Sequence, residues 1–187
     1  MAIRISIGGL LLLANAANAA VILVPEDQPS IQAGINIAIP GDMVSVAAGD
    51  YEGWLSFRGK DITVQSRDGA TATTISGGDA DSAVVFANGE SEAAVLRGFT
   101  ITGAGNGTEF QGLSMGAGIY IYFASPTIED CIIHDCHAQM GGGVSMYQGN
   151  PVFRNVLLQG NTATLDGGGM RRQRRGTGLA QGLRLVR

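Results

Sequence analysis

From residue 41 onward, apolar positions come in short alternating runs separated by Gly, Asn or Asp: "GDMVSVAAGDYEG" at 41–53, "GKDITVQSRDG" at 59–69, "ATTISGG" at 72–78. Alternation with period two in β-branched residues predicts strands, and the Gly and Asn clusters predict bends between them. The pattern then repeats. "PTIEDCIIHDCHAQMGGGVSMYQGN" begins at Pro126, and 25 residues later "PVFRNVLLQGNTATLDGGGM" begins at Pro151. A weaker copy precedes both: "VLRGFTITGAG" from Val95, a longer insertion, and "GAGIYIY" from Gly116, so that Gly118, Gly143 and Gly169 fall in one column. A repeat of this length is too short for two packed helices with their turns. One such coil cannot bury its own apolar face, so coils must stack in parallel about 4.8 Å apart. The predicted fold is all-β, a right-handed parallel β-helix (solenoid) of about five coils over residues 41–170. Ahead of it, in 20–40, Ile31, Ile35 and Ile39 recur every fourth position between Ser30, placed to cap, and Pro40, placed to terminate. That spacing predicts a short amphipathic helix capping the stack, after an N-terminal strand.

Stacking turns the repeat into a surface. Phe99, Cys131 and Val156 form one inward column, and Ile101, Ile133 and Leu158 another. The outward columns are Thr100, Ile132 and Leu157, then Thr102, His134 and Gln159, and they hold no carboxylate cluster of the kind a Ca²⁺ site requires. Arg97, Glu129 and Arg154 share a column with alternating charge, which predicts an ion-pair ladder between coils. Cys131 and Cys136 are poorly placed for a disulfide, because five extended residues span about 16 Å whereas bridged Cα atoms lie within about 7 Å. Cys131 is expected in the core, and Cys136 in the bend column of Asn161.

Composition and charge place the chain. Arg4, the apolar run Ile5–Leu13 and Ala17-Asn18-Ala19 read in order as a signal peptide over 1–19, implying a secreted or cell-surface protein. No later segment approaches the roughly 18 apolar residues of a spanning helix, so no membrane span is expected. Residues 20–170 carry all 16 acidic residues against Arg58, Lys60, Arg67, Arg97 and Arg154, a net charge of −11. Such a body disfavours nucleic acid and permits Ca²⁺ without requiring any cofactor. Residues 171–187, "RRQRRGTGLAQGLRLVR", reverse the charge and abandon the repeat. They read as a disordered or aberrant basic tail, of the kind a truncated or frame-shifted coding sequence leaves, or as a basic anchor for anionic envelope polymers. The interrupted stack would then expose an open coil at Met170 through which chains could self-associate.

Residues 24–170 resemble the pectate-lyase-like right-handed β-helix superfamily. "PSIQAGINIAIPGDMVSVAAGDYEG" resembles its first coils, and "SPTIEDCIIHDC" and "GGGV" resemble parallel β-helix repeats. The resemblance implies contact with extracellular or cell-envelope polysaccharide along one lateral face. The Gln-Ala-Val and Asp-Phe-Ile-Phe stretches of pectin methylesterases are missing, as are the Asn-Thr-Asp, Gly-His-Gly and Arg-Ile-Lys stretches of polygalacturonases. A noncatalytic polysaccharide-binding or surface-adhesion protein is therefore expected, the alternative being a polysaccharide lyase or glycoside hydrolase acting on acidic glycans. Thr100, Thr102, His134 and Gln159 are the candidate glycan contacts on the outward columns. Tyr120 and Tyr122, with Phe123, Trp54 and Tyr51, are aromatic candidates for stacking on sugar rings if exposed, or else core packing. Asp79 and Asp81 in "GGDADS" are metal candidates, with Ca²⁺ in view and a solvated turn as the plain alternative. His134 and His137, beside Asp130 and Asp135, could serve a metal or acid–base chemistry, or simply end a strand in solvent.

Overall fold

The computed structural model describes residues 19–78, 82–103, 105, 107–173, 180–181 and 183–186. The expected signal peptide, apart from Ala19, and the metal candidates Asp79 and Asp81 lie outside the described residues.

The chain is an all-β solenoid with one short helix. Strand β1 (Val21–Val24) and helix α1 (Ile31–Ile37) come first. The first coil follows as β2 (Met43–Val46), β3 (Gly49–Glu52) and β4 (Leu55–Ser56). The second is β5 (Thr63–Ser66), β6 (Thr73–Ser76) and β7 (Val84–Phe86). The third is β8 (Val95–Arg97), β9 (Thr100–Thr102), the hairpin β10 (Thr108–Phe110) and β11 (Leu113–Met115), and β12 (Ile119–Tyr122). The fourth is β13 (Thr127–Glu129), β14 (Ile132–His134), β15 (His137–Met140) and β16 (Val144–Tyr147). The fifth is β17 (Val152–Arg154), β18 (Leu157–Gln159), β19 (Thr162–Asp166) and β20 (Met170–Gln173), and β21 (Ala180–Gln181) and β22 (Arg184–Val186) lie beyond it.

Equivalent strands of successive coils pair in parallel. Sheet A is β1-β2-β5-β8-β13-β17-β21, sheet B is β3-β6-β9-β14-β18-β22 and sheet C is β4-β7-β12-β16-β20. A fourth face, sheet D (β10-β11-β15-β19), exists only from the third coil on, and its β10–β11 pair is antiparallel. The coils are not a uniform 25 residues. Partners on neighbouring coils are 20 residues apart at Ala48 and Asp68, 32 at Arg97 and Glu129, and 25 at Asp130 and Asn155.

Several corners are made by single left-handed residues. Between sheets A and B these are Gly98, Asp130 and Asn155, with φ of 76°, 51° and 51°. Gly, Asn and Asp are the residues that adopt this conformation at least cost. Asn155 Nδ2 also donates to Asp130 Oδ1 at 2.8 Å, tying one corner to the next.

The core is the interior of the stack. Val64, Leu96 and Ile128 on sheet A, and Ile75, Ile101 and Ile133 on sheet B, are wholly buried. Each such side chain contributes about 1.5–3 kcal/mol relative to exposure. Helix α1 starts where expected, with Ser30 Oγ accepting from the Ala33 N–H at 3.1 Å, and buries Ile31 and Ile35. It ends sooner than the isoleucine spacing predicts, and Ile39 is 55% exposed. The Ile39 N–H donates instead to Asp42 Oδ2 at 2.9 Å, and Lys60 Nζ donates to the carbonyls of Ile35, Asn36 and Ala38, each at 2.8 Å. These polar partners outcompete another helical turn.

The ion-pair ladder forms on sheet A: Glu129 meets Arg97 at 2.6 Å and Arg154 at 2.5 Å. Burial works against the Glu129 charge, but hydrogen bonds from both guanidiniums outweigh it and hold the carboxyl below the ordinary Glu range.

The expectation that the stack stops at Met170 does not hold among the described residues. β20 pairs with β16, β21 with β17 and β22 with β18. Parallel pairing uses backbone N–H and C=O groups alone, so the ladder passes through arginines that the core pattern would not admit. The Arg184 N–H, for instance, donates to Val156 O at 2.9 Å.

Cys131 and Cys136 are both buried and no disulfide joins them. Cys131 faces the core and its thiol is pushed up to about 12 by burial, while the Cys136 N–H donates to Asn161 Oδ1 at 3.0 Å in the bend. A thiol reagent is expected to modify neither cysteine in the folded chain and both in denaturant without reductant. Recovery of no thiol from the unreduced, denatured chain would contradict this arrangement.

Candidate functional site

The expected columns are present on sheet B. Ile132 lies between Thr100 and Leu157, and His134 between Thr102 and Gln159, in continuous parallel register. The inward residues between them, Ile101, Ile133 and Leu158, are buried and hold the strands flat against the core. Four of the six candidate contacts, Thr100, Thr102, His134 and Gln159, therefore share one face on three adjacent coils.

Their polar groups are partly committed. Thr100 Oγ1 donates to Ala70 O at 2.7 Å, which draws the 67–72 loop over the edge of the face. His134 Nδ1 lies 2.8 Å from Asp135 Oδ2 and 3.5 Å from Thr102 Oγ1. With Nδ1 bonded to the Asp135 carboxylate, Nε2 is the ring nitrogen left to meet a ligand. Gln159 is exposed. A groove of about 300 Å³ runs beside the columns, lined by Ala70, Asp130, Ile132, Asn155, Leu157 and Arg184.

The same columns continue into the two preceding coils, at offsets of 26 and 24 residues in place of 25. Asp50 aligns with Thr74 and so with Thr100, and Glu52 aligns with Ser76 and so with Thr102. Among the described residues the face thus runs from two exposed carboxylates, over four hydroxyls, to Arg184 and Val186.

Tyr120 and Tyr122 belong to a different face, sheet C. Tyr120 is 4% exposed, and burial pushes its hydroxyl up to about 12, so it is not placed to stack on a sugar. Tyr122 is half-buried within an aromatic cluster, with ring centroids 5.4 Å from Tyr147, 5.4 Å from Phe110 and 4.7 Å from Phe123. Phe110 comes from the hairpin, which packs on this face. Trp54 is 47% exposed beside Asp50 and Glu52, in a groove of about 360 Å³ against the start of α1. Tyr51 points to the core and donates its hydroxyl to Ala47 O at 3.1 Å.

Sheet D carries a groove of about 490 Å³, lined by Glu109, Ser114, His137, Gln139 and Thr164 among others. Several of its polar groups satisfy one another: Ser114 and Gln139 exchange two hydrogen bonds of 3.0 and 2.8 Å, and His137 is bonded to Thr162. His134 and His137 therefore serve separate faces. Among the described residues, no three His, Cys, Asp or Glu side chains lie together as a metal cluster, and no helix is long and apolar enough to cross a membrane. No protein-family model matches the chain, and neither does a curated protein or a solved structure.

Proposed function

We propose that this chain is an exported, noncatalytic β-helix of the pectate-lyase-like kind that binds extracellular or cell-envelope polysaccharide along the outer face of sheet B. The observation that carries this reading is the register of that face. Thr74, Ser76, Thr100, Thr102, His134 and Gln159 present polar groups at the strand spacing of about 4.8 Å, with Ile132 and Leu157 as apolar ground between them. A polymer of hydroxylated rings offers the same alternation of hydrogen-bonding edges and C–H faces, repeated along its length. A regular face that repeats over successive coils suits such a ligand better than an isolated small molecule, which calls for a single enclosed pocket.

Affinity electrophoresis of the chain in gels cast with soluble polysaccharides tests this. Retardation by at least one polymer is expected, and the double substitution His134→Ala with Gln159→Ala should weaken it by about tenfold or more, since each net hydrogen bond is worth about 0.5–1.5 kcal/mol. Retardation unchanged by that substitution, or release of an unsaturated sugar product, would sink the proposal.

A further inference from the structure

The charges around sheet B narrow the ligand. Besides His134, Arg184 is the only basic side chain on the sheet's strands among the described residues. Against it stand Asp50 and Glu52 on β3, and Asp130 and Asp135 at the corners bounding β14, all four exposed. Among the other described basic residues, Arg67 pairs with Glu26 at 2.8 Å, Arg97 and Arg154 with Glu129, Arg171 with Asp166 at 3.1 Å, and Lys60 with the end of α1, while Arg58 follows β4 and Arg172 lies on β20, both strands of sheet C.

We infer that the ligand of this face is an uncharged polysaccharide and that the face discriminates against polyuronates; the inference rests on the glycan reading above. A polyuronate laid along the columns brings a carboxylate on each sugar. It meets Asp50, Glu52, Asp130 and Asp135 within the reach of unscreened charge, about 10 Å at 0.1 M salt. Among the described residues, the floor beneath it offers hydroxyl, imidazole and amide groups and the single guanidinium of Arg184, not a row of cationic donors to neutralise it. Like charges set against each other across an interface reject a partner even where its shape fits. An uncharged polymer keeps the hydrogen bonds and apolar contacts and avoids that repulsion.

The test compares the full chain on polymer pairs that differ chiefly in charge: polygalacturonate with its methyl ester, and carboxymethylcellulose with hydroxyethylcellulose, without added divalent cation. The uncharged member of a bound pair is expected to bind at least about tenfold tighter at low salt, and any affinity for the charged member to rise as salt screens the repulsion. The double variant Asp130→Asn with Asp135→Asn keeps an acceptor oxygen at both corners and a residue type that tolerates their positive φ. It should raise the affinity for the charged polymer relative to the uncharged one several-fold, a ratio that any loss of His134 orientation common to both polymers leaves unmoved. Tighter binding of the charged polymer by the native chain, or no relative gain for that polymer in the double variant, overturns the inference while leaving a glycan face in place. Failure to bind any polysaccharide, neutral or charged, removes the underlying reading itself and the inference with it.

Discussion

Gly143→Ala is expected to lower the thermal midpoint by about 6–12 °C, and Gly112→Ala by only about 2–8 °C, although Gly143 is the one in ordinary backbone conformation. A Cβ on Gly143 would lie 2.5 Å from Gly169 O and 2.8 Å from Asn161 Nδ2. Neither neighbour can yield cheaply. The Gly143 N–H donates to Gly168 O at 2.9 Å and its carbonyl accepts from Ile119 N at 2.9 Å, so withdrawing the backbone breaks the ladder on both sides. Asn161 is equally fixed, with its amide donating to Ile133 O at 2.8 Å and accepting from the Cys136 N–H at 3.0 Å. Overpacking of this kind costs about 3 kcal/mol, at the upper end of the usual range, and each kcal/mol moves the midpoint of a chain this size by about 2–4 °C. Gly112 differs in kind. Its φ is +77°, but a Cβ there meets nothing within 4 Å, so alanine costs only the left-handed strain of about 1–2 kcal/mol. Calorimetry on the two variants separates the reasons, and equal shifts would mean that coil spacing is not what excludes a side chain from the Gly118, Gly143 and Gly169 column.

That column, and the outward pair built on Thr100 and Thr102, were legible because three coils carry the same strand–bend pattern and stacking makes equal offsets neighbours. Columns stop being legible where the offset between coils changes. Asp50 and Glu52 join the Thr100 and Thr102 columns through Thr74 and Ser76 at offsets of 24 and 26 residues; a step of 25 back from Thr100 lands on Ile75, which faces the core, and a slip of one residue hides the outward column. The aromatic candidates failed for another reason. Alternation correctly turns Tyr120 away from the core columns, but β10 has no counterpart in the other coils. Its hairpin brings Phe110 onto Tyr122 and Tyr147, and puts Met115 in contact with Arg171. A face that reads as solvent-exposed from its own strand is thus covered by an insertion whose docking no local pattern records. The basic tail misled in the opposite sense: side-chain pattern stops at Met170, while backbone pairing does not.

Phe86→Ala is expected to destabilise the chain by about 3–5 kcal/mol, and to do so unevenly along the stack. Phe86 and Phe57 are both wholly buried, with ring centroids 4.3 Å apart and planes inclined at 35°. They fill the interior of the first two coils, which lack sheet D and close around fewer strands than the later ones. Truncation leaves a cavity that the ladders on either side of β7 cannot collapse, because Val84 and Val85 are held in register to Leu55 and Ser56 on one side and to Ile119 and Tyr120 on the other. Phe86→Leu should recover much of the loss by filling most of that space. In a solenoid each coil contacts only its neighbours, so the deficit should remain near its source. Hydrogen exchange is expected to accelerate strongly at amides of β4, β7 and β12 and much less at β14 and β18, where the His134 and Gln159 columns lie. Polysaccharide binding measured well below the midpoint should then survive within about threefold, separating stability of the early coils from recognition on the later ones. Uniform acceleration across all coils would instead make the stack a single cooperative unit, and any loss of binding in this variant would follow global unfolding rather than damage to a local face.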